Sequence, residues 1–349
     1  MEEQPLFVNL GRPKPTVRTI ALRVRSEGAE AALDEAQRRA DAAQYQEVTC
    51  RSALNPVKGM PFNWTLNPYR GCTHACQYCF ARRYQTQFEL GPGDHFSSII
   101  FVKTNLVEVL TRELDHPKWQ REQVAVGTAT DPYQPIEGHY KLTRRALAAL
   151  LAGRTPIGLV TKGPMVVRDR DLLAELGQRV GCTVCMSVPT VDEDAWRILE
   201  PGTAHPLKRL RAVRELRDAG VNAGVLMMPV VPGFTTQRTK LEATIKAIAD
   251  HGAAFMGANV MYLKGGTRDH FMGFLAQTFP HMVAGYTKLY AGAYASKAYV
   301  KSVKGLIAAL QQRYQVGQRT SSIPAQRDPE AEGEEPAAPK QAAFGWMND

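Results

Sequence analysis

NPYRGCTHACQYCFAR, residues 67–82, sets Cys72, Cys76 and Cys79 in a C-x3-C-x2-C spacing within one short loop led by Gly71. Three thiolates so close can ligate three irons of a [4Fe-4S] cube, a cluster otherwise held by four cysteines, and leave the fourth iron open to a non-protein ligand. Gly71 allows a tight turn into the loop. Arg70, Arg82 and Arg83 put positive charge beside thiolates and sulfides that carry net negative charge, which favours the reduced cluster. Two other readings stay open on spacing alone. Zinc wants a fourth Cys or His, and His74 lies inside the loop where it could supply one. Three reduced core cysteines are the other, against which Thr73, His74, Gln77 and Tyr78 make the loop polar.

Outward from the loop, short apolar runs of strand length alternate with helical patterns. Strands are expected at 64–69, 123–128, 157–161, 183–188, 223–228 and 255–262, with helices at 143–151, 169–179, 206–218 and 238–251. Six such units predict an α/β chain whose parallel sheet is covered by helices and closes as a partial (β/α)6 barrel. A further strand at 98–103 precedes a helix at 105–114, and 268–315 reads as closing helices. In such barrels the site forms at the C-terminal ends of the strands. The cysteine loop, Thr130, Lys162, Ser187, Pro229 and Lys264 all fall at or just after expected strand ends.

Residues 1–50 read as an N-terminal accessory segment, with a short strand at 18–25 and an Ala- and charge-rich helical stretch at 27–44. Residues 51–316 form the core, and 317–349, rich in Pro, Glu, Ala and Gln, are expected to be a disordered acidic tail. The formal net charge is +9, and residues 324–349 hold six acidic residues against two basic ones, so the remainder is more basic than the whole. A body of that charge attracts phosphate-rich polymers. Solubility alone is the competing explanation, because the charges are scattered through helices such as 207–220 and form no dense stripe. No apolar run is long enough to cross a bilayer, and residues 1–15 lack a basic region followed by an apolar one, so neither a secretory signal nor a membrane partner is expected. The chain reads as cytoplasmic, where six cysteines point to metal or thiol chemistry before disulfides.

The cysteine spacing with aromatic Tyr78 before the last cysteine resembles the signature of radical S-adenosylmethionine (SAM) enzymes, and the longer context is similar to their spore photoproduct lyase branch. GTATDPYQPIE (127–137), LVTKGPMVVRDRDLL (159–173), VCMSVPTVDEDAWRILEPG (184–202) and LMMPVVPG (226–233) agree, so the resemblance covers roughly residues 54–265. It implies a radical SAM barrel with a [4Fe-4S] cluster reduced to its +1 state. SAM would chelate the open iron and be cleaved to a 5'-deoxyadenosyl radical that abstracts a substrate hydrogen. The same resemblance implies that Tyr78, Thr130, Asp131, Lys162 and Ser187 line the SAM pocket, and that an electron donor such as flavodoxin or ferredoxin is a partner. Thr128 stands where the lyase branch has its cysteine hydrogen donor, and a hydroxyl cannot return a hydrogen atom to a carbon radical as a thiol can. Phe80 stands where a tyrosine commonly follows the last cysteine. Both departures weigh against the lyase reaction itself.

Several of these side chains have a plainer reading. Lys162 ends an apolar strand at a barrel mouth, where an unpaired ammonium is costly; the SAM carboxylate is one partner, Asp169 or Asp171 the other. Asp131 either binds SAM or fixes the DPYQP turn, and the Ser187 hydroxyl either binds SAM or bonds to neighbouring backbone. Cys182 and Cys185 form C-x2-C, but residues three apart on a strand point to opposite faces, so their sulfurs do not meet. Cys185 shares the expected interior face with Ser187 and is a candidate catalytic hydrogen-atom donor, its plain alternative being a small buried apolar residue. Cys50 reads equally as a mobile or an inert thiol.

Three functions follow: a radical SAM enzyme that repairs or modifies DNA or RNA, the same chemistry on a protein or small molecule, or a non-catalytic iron-sulfur or zinc protein that binds or senses. Trp64, Tyr133, Tyr140 and Phe234 fall in expected rim loops and could stack on a base or simply pack. Oligomeric state is not readable from the chain.

Overall fold

IGLVT and CTVCMS are apolar on both alternating faces, the pattern of strands covered on both sides, and they lie at the centre of the sheet. The computed structural model describes residues 30–83 and 95–318. Its main sheet contains β2 (Leu54–Pro56), β3 (Trp64–Leu66), β6 (Val124–Val126), β7 (Ile157–Thr161), β8 (Cys182–Ser187), β9 (Ala223–Val230) and β10 (Met256–Val260), in the order β10-β9-β8-β7-β6-β3-β2. Six of these strands pair in parallel, and β2 lies antiparallel to β3 at one edge. This is the α/β fold with a parallel sheet that the alternation predicts. Strand 157–161 and helix Pro206–Asp218 fall where expected. Most other matched elements begin or end within a few residues of expectation.

Register divides the sheet into two faces. Val160 pairs with Cys185, and Cys185 with Gly224, so these side chains share one face with Leu226 and Met228. Phe255 packs with Cys185 and Leu226 there, its ring lying over Gly224, where an added Cβ would meet Phe255 Cε2 at 2.4 Å. Leu159, Val184, Met186 and Val225 point the other way, into the large core with Leu173, Leu210, Val213 and Ile245 of the covering helices. Cys182 belongs to that outer core and Cys185 to the inner cluster, so the C-x2-C pair straddles the sheet.

The expected strand 64–69 is divided. After β3, Pro68 has no N–H to give a ladder, and its carbonyl accepts instead from Lys103 N at 3.3 Å. β4 (Tyr69–Arg70) thus joins a second sheet, ordered β1-β5-β4, with β1 (Gln44–Val48) and β5 (Ile99–Lys103). The half-exposed alternation of QYQEV gives β1 a weak signal, and it had no counterpart among the expected strands. The stretch after it is pinned to helix Leu106–Leu114. Glu113 accepts from Ser52 Oγ and from the amides of Ala53 and Leu54, while Asn105 exchanges two hydrogen bonds with the Cys50 backbone. Cys50 is therefore a buried thiol on fixed backbone.

Helix Glu30–Ala42 lies within the expected stretch 27–44. The expected strand 18–25 and residues 319–349 lie outside the described residues. Gly317 and Gln318, the first two positions of the expected tail, run along the edge of β10, where Met256 N donates to Gly317 O at 2.8 Å. Helices Gly265–Thr278, Val283–Leu289 and Lys297–Arg313 follow β10 and supply the closing segment. Among the described residues no helix is long and apolar enough to cross a membrane.

Candidate active site

The cysteine loop is short of regular structure of its own, so its shape is set by what grips it. Gly71 adopts φ +79°, and an added Cβ there would come within 2.6 Å of Ile99 O, so only glycine enters the loop beside β5. From the β6 side, Thr130 Oγ1 donates to Gly71 O at 2.6 Å, and Gln134 bonds both Gly71 O and Thr73 N. From the other side, Gln77 N donates to Leu199 O and Gly202 N to His74 O. Gly202 lies flat against the loop: a Cβ there would sit 2.2 Å from Thr73 O. Helix Gly265–Thr278 adds a third grip, with His270 bonded to Gln77 at 2.9 Å and Thr267 Oγ1 near the carbonyls of Cys79 and Phe80.

Cys72 and Cys76 are buried, Cys79 is half-buried, and all six cysteines of the chain are free of disulfides. Burial pushes the Cys76 and Cys79 thiols up, although Lys162 beside Cys76 and Arg82 beside Cys79 oppose it. Ligation, which requires thiolates, thus needs both nearby cations and a metal centre to displace the protons. Arg82 also closes the loop on itself, donating to Cys76 O and Ala75 O while lying over the Phe96 ring. Among the described residues no three His, Cys, Asp or Glu side chains gather tightly enough to hold a single metal ion. The donor set fits the [4Fe-4S] group: three undisulfided thiols from one loop, cations facing them, and a buried Thr73 hydroxyl in the same loop with no hydrogen-bond partner.

Lys162 and Ser187 meet at adjacent strand ends. Thr161 of β7 pairs with Met186 of β8, which places Lys162 beside Ser187, and the ammonium donates to Ser187 Oγ at 2.7 Å. Its ionic partner is Glu200 at 3.5 Å, not Asp169 or Asp171, which are held by Arg144 and Arg168. Glu200 is buried and central. Tyr78 donates its hydroxyl to Glu200 Oε1, Arg209 bonds Oε2 at 2.6 Å, and the Lys162 ammonium lies 5.7 Å from the Tyr78 ring centroid. Burial raises the Glu200 carboxyl, but Arg209 and Lys162 outweigh it and leave the group below its ordinary value. Burial lowers Lys162, and Glu200 and Cys76 reverse that.

Asp131 carries four bonds. Its oxygens accept from Tyr133 N, Thr161 Oγ1 and Lys162 N, and lie 3.4 Å from His74 Nδ1. The carboxylate holds the DPYQP turn and ties it to the end of β7, within reach of the cysteine loop. Its pKa falls to about 2, since His74 and the donors overcome the effect of burial. His74 is raised to about 10, burial being outweighed by Cys72 and Asp131. His74 thus spans Cys72 and the turn. Cys185 lies one inward position below Ser187, 1% exposed against Leu226 and Phe255. Thr128 accepts weakly from Asn67 at 3.5 Å.

The structure therefore gathers Tyr78, Thr130, Asp131, Lys162 and Ser187 around the three cysteines, with Cys185 deeper in the sheet. Glu200, Arg209, Gln134 and Gly202 carry no role in the sequence reading. Arg209 had a usable signal: it shares the face of Ala212, Val213 and Leu216, and a charged residue on an apolar helix face needs a buried counterion.

A family model described as the radical SAM superfamily matches residues 66–248. An uncharacterized protein of Mycobacterium tuberculosis is 39% identical over 280 residues, 79% of this chain and 82% of its own length. A radical SAM Nalpha-GlyT isomerase of Pseudomonas phage M6 is 26% identical over 170 residues, 48% of this chain and 33% of that protein. Among solved structures, spore photoproduct lyase complexed with dinucleoside spore photoproduct has a TM-score of 0.62 at 14% identity, over 83% of this chain and 84% of that one, a likeness of fold.

Proposed function

Because this chain belongs to the radical SAM superfamily, whose model spans residues 66–248, we propose that it is an enzyme that cleaves SAM at a [4Fe-4S] cluster held by Cys72, Cys76 and Cys79 and directs the radical at a component of DNA or RNA. The observation that carries the reading is the junction of three free, loop-borne thiols with the Lys162–Ser187 pair at the adjoining strand ends. Bound there, a reduced cluster would supply the electron that breaks a carbon–sulfur bond of SAM. The chain's residues hold the reactants. Lys162, whose ammonium is oriented by Ser187 and lies 3.5 Å from Glu200, would offer that ammonium to the SAM carboxylate. Tyr78, anchored by Glu200, turns its ring face toward the Lys162 ammonium. Thr130, already committed to Gly71 O, fixes the loop in place, and Asp131 sets the strand end from which Lys162 projects.

A nucleic-acid substrate is supported by the net charge of +9 and by the dinucleoside bound to a protein of the same fold. Cys185 is assigned as the hydrogen-atom donor that Thr128 cannot be. It lies on the face of Ser187, one strand position deeper, so a substrate radical would have to reach past Leu226.

The test is anaerobic: load the protein with iron and sulfide, reduce it, add SAM, and assay 5'-deoxyadenosine beside a Cys76→Ala control. Product that depends on Cys76 supports the reading. A wild-type protein that holds the reduced cluster and binds SAM without cleaving it would leave the site a structural or sensing one.

A further inference from the structure

Buried polar groups in folded proteins are almost always hydrogen-bonded, and a buried hydroxyl without a partner is destabilising. Among the described residues three buried side-chain atoms lack a partner: Nε of Arg39, Nε of Arg209 and Oγ1 of Thr73. Arg209 satisfies its other nitrogens through Ser187 O and Glu200, so only one corner of its guanidinium is idle. Thr73 differs, because the hydroxyl is its whole polar complement. The residue is 1% exposed and stands between Cys72 and His74.

Its neighbours in the loop are all bonded. His74 pairs with Asp131, Gln77 with His270, Tyr78 with Glu200, and Arg82 with two loop carbonyls. The Thr73 backbone is also fixed, since its amide donates to Gln134 Oε1 and its carbonyl abuts Gly202. The main chain is thus held on both sides of the residue, and the side chain is shut off from bulk solvent. A loop that pairs its other polar side chains and leaves this one idle, next to Cys72, lacks an acceptor that no described residue supplies.

We infer that the Thr73 hydroxyl donates to a sulfur of the cluster bound by Cys72, Cys76 and Cys79, and thereby sets its reduction potential. The inference rests on the cluster reading above. Thr73 is a positioning residue that acts through the cluster and touches no substrate. Hydrogen bonds to cluster sulfurs are one of the levers by which proteins tune iron–sulfur potentials. An O–H···S bond stabilises the more negative, reduced state more than the oxidised one, so the hydroxyl raises the midpoint and makes reduction easier.

The experiment compares full-length wild type, Thr73→Val and Thr73→Ser. Cluster-loaded proteins are titrated against redox dyes and followed by electron paramagnetic resonance, with iron counted per chain. Cluster-free proteins are unfolded in urea. The expected results are a more negative midpoint for Thr73→Val, a wild-type midpoint for Thr73→Ser, and cluster-free Thr73→Val at least as stable as wild type, because the lost hydroxyl had no protein partner. An unchanged midpoint in loaded Thr73→Val overturns the inference, as does clear destabilisation of its cluster-free form. If Thr73→Val takes up no cluster while Thr73→Ser does, the hydroxyl is needed at the cluster, and the inference stands in stronger form. If both variants fail to load, the side chain's role is steric and the inference is lost. Wild type that takes up no cluster defeats the cluster reading itself, a result separable from all of these.

Discussion

Glu200 is the residue on which the buried charges of the site depend. Arg209 and Lys162 both face it from positions with little solvent, and Tyr78 donates to it. Replacing Glu200 by Gln leaves two buried cations without an anion, and breaking a buried pair from one side typically costs about 3–5 kcal/mol. Urea unfolding of cluster-free Glu200→Gln at neutral pH should show a loss of that size. A Glu200→Leu, Arg209→Met double variant should recover much of it, since apolar replacement removes the stranded charge as well. The pH dependence has a definite sign. The folded carboxyl lies below its ordinary value, so its stabilisation is complete above the usual carboxylate pKa and is lost as pH falls through the folded one. The gap between wild type and Glu200→Gln should therefore be flat from pH 6 to 8 and narrow in acid. A gap that instead widened in acid would mean that Glu200 is protonated in the native protein.

At the scale of elements, the cysteine loop behaves as a part clamped by three others, and the tightest clamp is the turn after helix Glu193–Leu199. Gly202→Ala places a methyl 2.2 Å from the Thr73 carbonyl, an overlap that backbone must relieve. The turn is anchored by Trp196 Nε1 on Thr203 Oγ1 and by Arg209, so the loop is the element that yields. The expected outcome is a folded variant with a near wild-type circular dichroism spectrum and a marked fall in iron bound per chain. Full iron content would show that the loop tolerates the shift. This clamp also marks where the sequence stops being legible. The six parallel strands could be read because both faces of runs such as Ile157–Thr161 are apolar, and the cysteine loop stood out because three cysteines share one short turn. Glu200 and Gly202 were visible only as part of a helix-ending EPG, whose significance arises from a partner more than 120 positions away. β1 was hidden because a half-exposed edge strand mixes Gln and Glu with its apolar residues.

For the whole molecule, the informative quantity is where the charge resides. Among the described residues the buried charges are mostly acidic: Glu113, Asp131, Glu137, Asp169 and Glu200 are buried, against Arg82 and Arg209. The surface of the described residues is therefore no less basic than a net +9 suggests, and a nucleic-acid substrate would be met by at least a few phosphate contacts. Counterion release then gives a testable slope, close to −0.7 in log K per log salt for each contact on a single strand and about −0.9 on duplex. Fluorescence anisotropy with a labelled single-stranded oligonucleotide, from 50 to 200 mM salt, should show affinity falling by roughly an order of magnitude, the value for about two to three contacts. Residues 324–349 carry six acidic side chains against two basic ones, so ending the chain at 323 should tighten binding at low salt, and the difference should fade at high salt as screening shortens the range of the acidic segment. Binding that is absent, or indifferent to salt, would direct the search toward a protein or small-molecule substrate for the same radical chemistry.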